Sequence, residues 1–345
     1  MNIQKWLESY QAFDEQVIEA VVRAAHDQDQ SRISFGALAD TYGIADEPDI
    51  IPGTDEHNAF QILRIIPKGN DFIETEARVY WPGMATPIDP NLIVRGLRLA
   101  AADPTKQLIL TGNPSSLSSP FNKLGATARH EVARGNLSPA VEPVLRYLGR
   151  LGITEVEHVG YSLGADKAAT ASARASDFDI CVRNGVFIES ITAERRSLLS
   201  LALRFAKTTS TLEANVKASN SDVLLEARQL SNHGFIRYAL GYFDPTNVAI
   251  ARYLTGQGIA QRVLDALRLQ PELRAVIAWG TASELTPHYV MQRVAGELEH
   301  SEFGQRVSTL GIEGMGHNSC EDINFHAAIV LQGLRQAEQL RNKVS

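Results

Sequence analysis

Apolar positions along this chain fall into short unbroken runs separated by stretches in which they recur every three or four residues. The runs at 60–66, 76–81, 107–110, 156–159, 180–188, 274–279 and 307–312 predict β-strands. Helical spacing predicts helices over 91–102, 165–175, 198–205, 259–269 and 323–340. Ser138 followed by Pro139 starts another helix, in which Val141, Val144, Leu145 and Leu148 share a face before Gly152 ends it. At the start of the chain, residues 2–25 read as an amphipathic helix carrying Trp6, Tyr10, Phe13 and Val17, and residues 26–57 are polar and rich in turn signals. Strands alternating with helices predict an α/β fold: a mostly parallel sheet covered on both faces. Between Ser190 and Pro271 no strand pattern occurs, and a stretch that long exceeds a plain connection. The expected organisation is an N-terminal helical extension at 1–57, an α/β core at 58–190 and 272–345, and a helical cap at 191–271.

Composition narrows the classes. Of 345 residues, 44% are hydrophobic and 21% charged, an ordinary globular balance, and the net charge of −7 gives no basic surface for nucleic acid. No stretch approaches the roughly 20 apolar residues of a bilayer span, and the first ten residues, with Lys5 and Glu8, lack a signal-peptide run. Two distant cysteines, Cys181 and Cys320, argue against a disulfide scaffold. The expectation is a cytoplasmic protein with neither nucleic acid nor membrane as partner. The N-terminal helix is read as docking on its own core, with a homodimer contact or an active-site lid as the alternative.

The chemistry sits at Gly160-Tyr161-Ser162-Leu163-Gly164, where an apolar strand gives way to a helix rich in alanine. Serine between glycines at such a junction is the nucleophile-elbow pattern: a sharp turn lifts the hydroxyl clear of the backbone, and the glycines remove Cβ atoms that would clash. The helix N-terminus behind the serine directs N–H groups towards any developing oxyanion. Late in the chain, Gly314 and Gly316 flank a turn that presents His317 at the end of a strand, as a general base must be presented. His57 reads as part of a solvated turn, His158 as a core residue, Cys320 as packing, and Asp166 with Lys167 as helix-surface or cap contacts.

Elbow and histidine, in this order, resemble the α/β-hydrolase superfamily over about residues 58–340. The resemblance implies an α/β-hydrolase fold with the backbone N–H groups of Met84 and Leu163 as oxyanion hole, Met84 following Pro82-Gly83 where the family often has His-Gly. A competing alignment assigns that role to Thr111-Gly112-Asn113, which leaves fewer residues before the elbow. An aspartate is expected at the place of Ser283, and the nearest carboxylate is one residue on. Glu284 is therefore the first candidate for the triad acid, Glu189 is the runner-up, and a site without a strong acid is the third reading. The implied activity is a serine hydrolase cleaving a carboxylic ester or related acyl compound, with a small-molecule acyl substrate and neither metal nor organic cofactor. The alternatives are an acyltransferase or C–C bond hydrolase using the same site, and a hydrolase-fold binding protein without turnover.

Overall fold

The computed structural model describes residues 49–53, 59–66, 72–102, 105–114, 121–218, 243–256, 258–321 and 323–344. The expected N-terminal helix, His57 and residues 219–242 of the expected cap lie outside them. Eight strands form one sheet: β1 (Asp49–Pro52), β2 (Ala59–Ile65), β3 (Glu76–Trp81), β4 (Gln107–Thr111), β5 (Glu155–Tyr161), β6 (Cys181–Ile188), β7 (Arg274–Gly280) and β8 (Val307–Ile312). Their order is β1-β2-β4-β3-β5-β6-β7-β8. β1 and β2 run antiparallel to their neighbours, and the remaining pairs are parallel. The central strands lack the alternation of a half-exposed sheet because both faces are covered: every residue of β4 and β7 is buried, and all of β5 after Glu155.

Nine α-helices lie among the described residues: α1 (Pro90–Ala102), α2 (Ala126–Ala133), α3 (Ser138–Arg150), α4 (Leu163–Arg174), α5 (Leu198–Ala218), α6 (Pro245–Leu254), α7 (Ile259–Leu269), α8 (His288–Glu299) and α9 (Ile323–Val344). α1 and α9 pack together on one face of the sheet, over a core that includes Leu63, Tyr80, Leu110 and Val186. α3, α4, α7 and α8 share the other face, over Val79, Trp81, Phe187 and Ile277. β3 and β5 are hydrogen-bonded neighbours, yet the helix after β3 joins the first layer and the helix after β5 the second. In such sheets the carboxyl ends of two strands whose helices diverge in this way are the usual place for a ligand.

Three features depart from the sequence expectation. β1 falls within the segment read as a helical extension and pairs with β2. α7 falls within the segment read as a cap, yet it packs along α4 as part of the core layer, placing Val263, Ala266 and Leu267 in the main hydrophobic cluster. α2, α6 and α8 were not anticipated as helices; α6 begins on Asp244, whose side chain accepts from the Thr246 N–H, with Pro245 in the first turn.

Candidate active site

Ser162 stands where β5 ends and α4 begins, with φ +59° and ψ −122°. That backbone region is costly for a residue with a side chain, and it persists because the surroundings fix it. A Cβ on Gly160 would lie 2.1 Å from the Gly164 carbonyl oxygen, and one on Gly164 would lie 1.8 Å from that of Trp81. Both glycines are thus required by close approach of backbone. Among the described residues five non-glycine positions have positive φ, and three of them, Ala85, Ser162 and Glu189, belong to the turns that follow β3, β5 and β6. The strain is gathered where strands β3, β5 and β6 end.

His317 lies in a short 3-10 turn after β8. Its Nε2 is 3.2 Å from Ser162 Oγ and its Nδ1 is 2.9 Å from Glu189 Oε2. Because a carboxylate only accepts, Nδ1 carries the proton and Nε2 presents its lone pair to the serine hydroxyl. The Tyr161 ring packs on the His317 ring, centroids 5.2 Å apart, and the Tyr161 hydroxyl donates to the His317 carbonyl at 2.8 Å. Neighbouring Asn318 donates from Nδ2 to the Thr208 carbonyl of α5, tying the histidine turn to that helix. Both Ser162 and His317 are buried, 3% and 6% exposed, so solvent reaches the hydroxyl poorly.

The acid beside the histidine is Glu189, not Glu284. Glu189 closes β6 and is fully buried; its carboxylate accepts from the Gly280 N–H, the Ser283 hydroxyl at 2.6 Å and the Thr286 hydroxyl, besides His317. Four donors replace the hydrogen bonds to water that burial removes. Glu284 points to the surface, where it pairs with Lys207 at 2.7 Å, both side chains well exposed. The physical reason is local: Ser283 turns inward to donate to Glu189, and the next residue faces outward. Where the resemblance implies an aspartate, the chain places a hydroxyl that orients a carboxylate coming from another strand.

The loop that abuts the serine follows β3, not β4. A Cβ on Gly83 would lie 3.4 Å from the Ser162 Cβ, whereas Gly112 faces Asn122 and Ile88. Neither the Met84 N–H nor the Leu163 N–H meets an acceptor among the described residues. Leu163 opens α4, where the first N–H groups of a helix have no partner within it.

Two polar residues read as surface or cap contacts, Asp166 and Lys167, are buried. Asp166 is fully buried and accepts from Ser190 at 2.8 Å, Thr192, Tyr253 at 3.1 Å and Arg262 at 3.4 Å, joining α4 to the segment after β6 and to α6 and α7. Burial raises its pKa, against the Arg262 charge and the hydroxyl donors. Lys167, 3% exposed, donates to Asn113 Oδ1, and burial alone pushes its ammonium down to about 7. The sequence signal available is position: both lie within the first turn and a half after the serine, on a helix whose other residues between Leu163 and Arg174 are all small. His158 is a core residue as expected, its Nδ1 accepting from Trp81 Nε1 at 3.0 Å, and burial lowers its pKa to about 3. No cluster of His, Cys, Asp and Glu among the described residues is arranged to hold a metal ion, and no described helix is long and apolar enough to cross a membrane.

A strained serine at the strand-to-helix turn after the central parallel strand, with a histidine delivered from beyond the last strand, defines the class: the chain has the α/β-hydrolase fold. Solved structures agree. An esterase from Exiguobacterium antarcticum superposes with TM-score 0.56 at 13% identity, covering 84% of this chain and 99% of that one. A bromoperoxidase from Bacillus anthracis gives 0.54 at 9% identity, covering 84% of this chain and 100% of that one. The enol-lactonase of Burkholderia xenovorans LB400 gives 0.50 at 15% identity, with 80% and 97% covered. No protein-family profile matches the sequence, and no curated protein matches it significantly.

Proposed function

We propose that this protein is a serine hydrolase that cleaves a carboxylic ester or related acyl compound through an acyl-enzyme on Ser162. The observation that carries the reading is the continuous line from Ser162 Oγ to His317 Nε2 at 3.2 Å and from His317 Nδ1 to Glu189 Oε2 at 2.9 Å. Its support from known proteins is the fold shared with an esterase and an enol-lactonase.

In this reading the serine hydroxyl adds to the acyl carbonyl carbon while His317 Nε2 takes its proton. The resulting imidazolium is stabilised by Glu189, which also holds the tautomer that leaves Nε2 free. The carbonyl oxygen, now an oxyanion, lies between the N–H groups of Met84 and Leu163, both without an acceptor among the described residues. His317 returns the proton to the leaving alcohol as the C–O bond breaks. Water then repeats the sequence on the acyl-enzyme, giving the free acid and restoring Ser162. All groups required come from the chain itself. The missing aspartate at position 283, which favoured a binding protein without turnover, loses its force because Glu189 supplies the carboxylate.

Hydrolysis of p-nitrophenyl esters of increasing acyl length tests the reading. Turnover by the wild type that Ser162→Ala and His317→Ala both lose is the expected result. Turnover that survives Ser162→Ala contradicts it.

A further inference from the structure

We propose that Lys167 and Asn113 form a buried positioning pair that fixes the loop at 82–86 so that the Met84 N–H faces the acyl oxygen held at Ser162. The proposal rests on the hydrolase reading above and names residues through which its oxyanion hole is held.

Asn113 follows β4 and is 1% exposed. Its backbone N–H donates to the Thr86 carbonyl at 2.7 Å, and its Nδ2 donates to the carbonyls of Pro82 at 3.1 Å and Gly83 at 2.6 Å. One residue therefore grips both ends of the loop. In a trans peptide the carbonyl and the following N–H point in opposite directions across one plane. Holding the Gly83 carbonyl towards Asn113 consequently turns the Met84 N–H the other way, and a Cβ on Gly83 would lie 3.4 Å from the Ser162 Cβ, so the loop runs close to the serine. Ala85, at φ +56°, is the strained position that lets the chain leave this peptide in that orientation.

An asparagine amide has nearly the same shape when flipped, and flipped it would face the two carbonyls with its own oxygen. The two carbonyls only accept and so call for the NH₂, and Lys167 Nζ, donating to Oδ1 from the other side, enforces the same orientation. Lys167 stands on α4, the helix whose first N–H is that of Leu163, so the pair links the two oxyanion donors through one rigid element. Its setting is costly: the side chain is buried, no carboxylate among the described residues pairs with it, and Asp166 beside it turns to Ser190, Thr192, Tyr253 and Arg262. A methionine would fill the same space on a helix of alanines without that cost. Retaining a buried ammonium in contact with the amide that grips the loop is what positioning requires.

The test compares Lys167→Met and Asn113→Asp with the wild-type full chain. Asn113→Asp keeps the size and gains an ion pair with Lys167 but loses both donations to the loop, so it separates positioning from folding. Three readouts are taken: kcat and KM on the best p-nitrophenyl ester, the rate of Ser162 labelling by a fluorophosphonate, and hydrogen–deuterium exchange of the peptide covering 82–90. With thermal melts showing folded protein, both variants are expected to lose about 10²–10³-fold in kcat, the effect of one oxyanion donor. KM changes less than about threefold, since the loss falls on the transition state, and exchange at 82–90 accelerates. Wild-type kcat in folded Lys167→Met and Asn113→Asp overturns the proposal. If the wild type neither turns over esters nor reacts with the phosphonate, the hydrolase reading fails by itself, and exchange alone judges the pair: faster exchange at 82–90 upholds it, unchanged exchange overturns it.

Discussion

Replacing Glu189 by glutamine changes one atom and tests the site where sequence and structure disagree. Glu189 Oε2 receives His317 Nδ1–H and the hydroxyls of Ser283 and Thr286, while Oε1 receives the Gly280 N–H. Glutamine has two ways to sit there. With its NH₂ towards Gly280, two donors face each other, at a cost of about 1–3 kcal/mol in stability for the unsatisfied N–H. With its NH₂ towards His317, the imidazole is driven to the other tautomer, Nε2 carries the proton, and the serine loses its base. The second arrangement avoids the conflict at Gly280, since the two hydroxyls rotate to accept. It should dominate, and kcat is expected to fall about 10⁴-fold, roughly 5.5 kcal/mol of transition-state stabilisation. Glu284→Gln is the control: it breaks an exposed pair with Lys207, worth at most about 1 kcal/mol, and should leave kcat within about twofold. The assay is steady-state hydrolysis of a p-nitrophenyl ester with thermal melts of each variant. A folded Glu189→Gln retaining more than a tenth of kcat, or a Glu284→Gln that collapses, refutes the assignment.

Two further outcomes follow from the geometry. Gly164→Ala puts a Cβ 1.8 Å from the Trp81 backbone oxygen, so the elbow or the end of β3 must move; a loss of about 3 kcal/mol or more is expected in denaturant unfolding, and an unchanged midpoint contradicts the packing. Lys167 gives a pH signature: its folded pKa, about 7, lies below the ordinary 10.5, so between these values the unfolded chain binds the extra proton and stability rises with pH. Lys167→Met should therefore stabilise the fold by up to about 5 kcal/mol near pH 6 and by progressively less towards pH 10. Equal gains at both ends of a pH 6–10 unfolding series argue that the lysine is not desolvated.

Much of the scaffold is legible because buried parallel strands leave unbroken apolar runs. The runs at 76–81, 107–110 and 274–279 mark β3, β4 and β7 to within one residue at each end. The elbow is legible because its glycines are demanded by backbone contacts that any such turn must make. The acid is not, because neighbouring residues on a loop face opposite ways: nothing in Ser283-Glu284 says that the serine turns in and the glutamate out. The available clue was a lone carboxylate at the end of a buried strand, Phe187-Ile188-Glu189, with apolar Ile191 soon after. The burial of Asp166 and Lys167 is hidden in the sequence for a related reason. Polar residues on a helix usually face water, but α4 lies on the sheet with α3 and α7 beside it, and only tertiary packing shows that little of its surface is left to solvent. β1 was hidden because four residues ending in proline give too short a signal, and α7 was assigned to the cap because its partner face on α4 is invisible from its own sequence.

In the proposed mechanism Ser162 is a nucleophile activated by His317. Intact-mass spectrometry of the full chain after incubation with a fluorophosphonate tests it without knowledge of the substrate. One adduct is expected on the wild type, located at Ser162, with none on Ser162→Ala and labelling slowed at least about 100-fold in His317→Ala, the scale of losing a general base. A folded wild type that takes up no adduct, or a Ser162→Ala that is labelled as fast as the wild type, contradicts it.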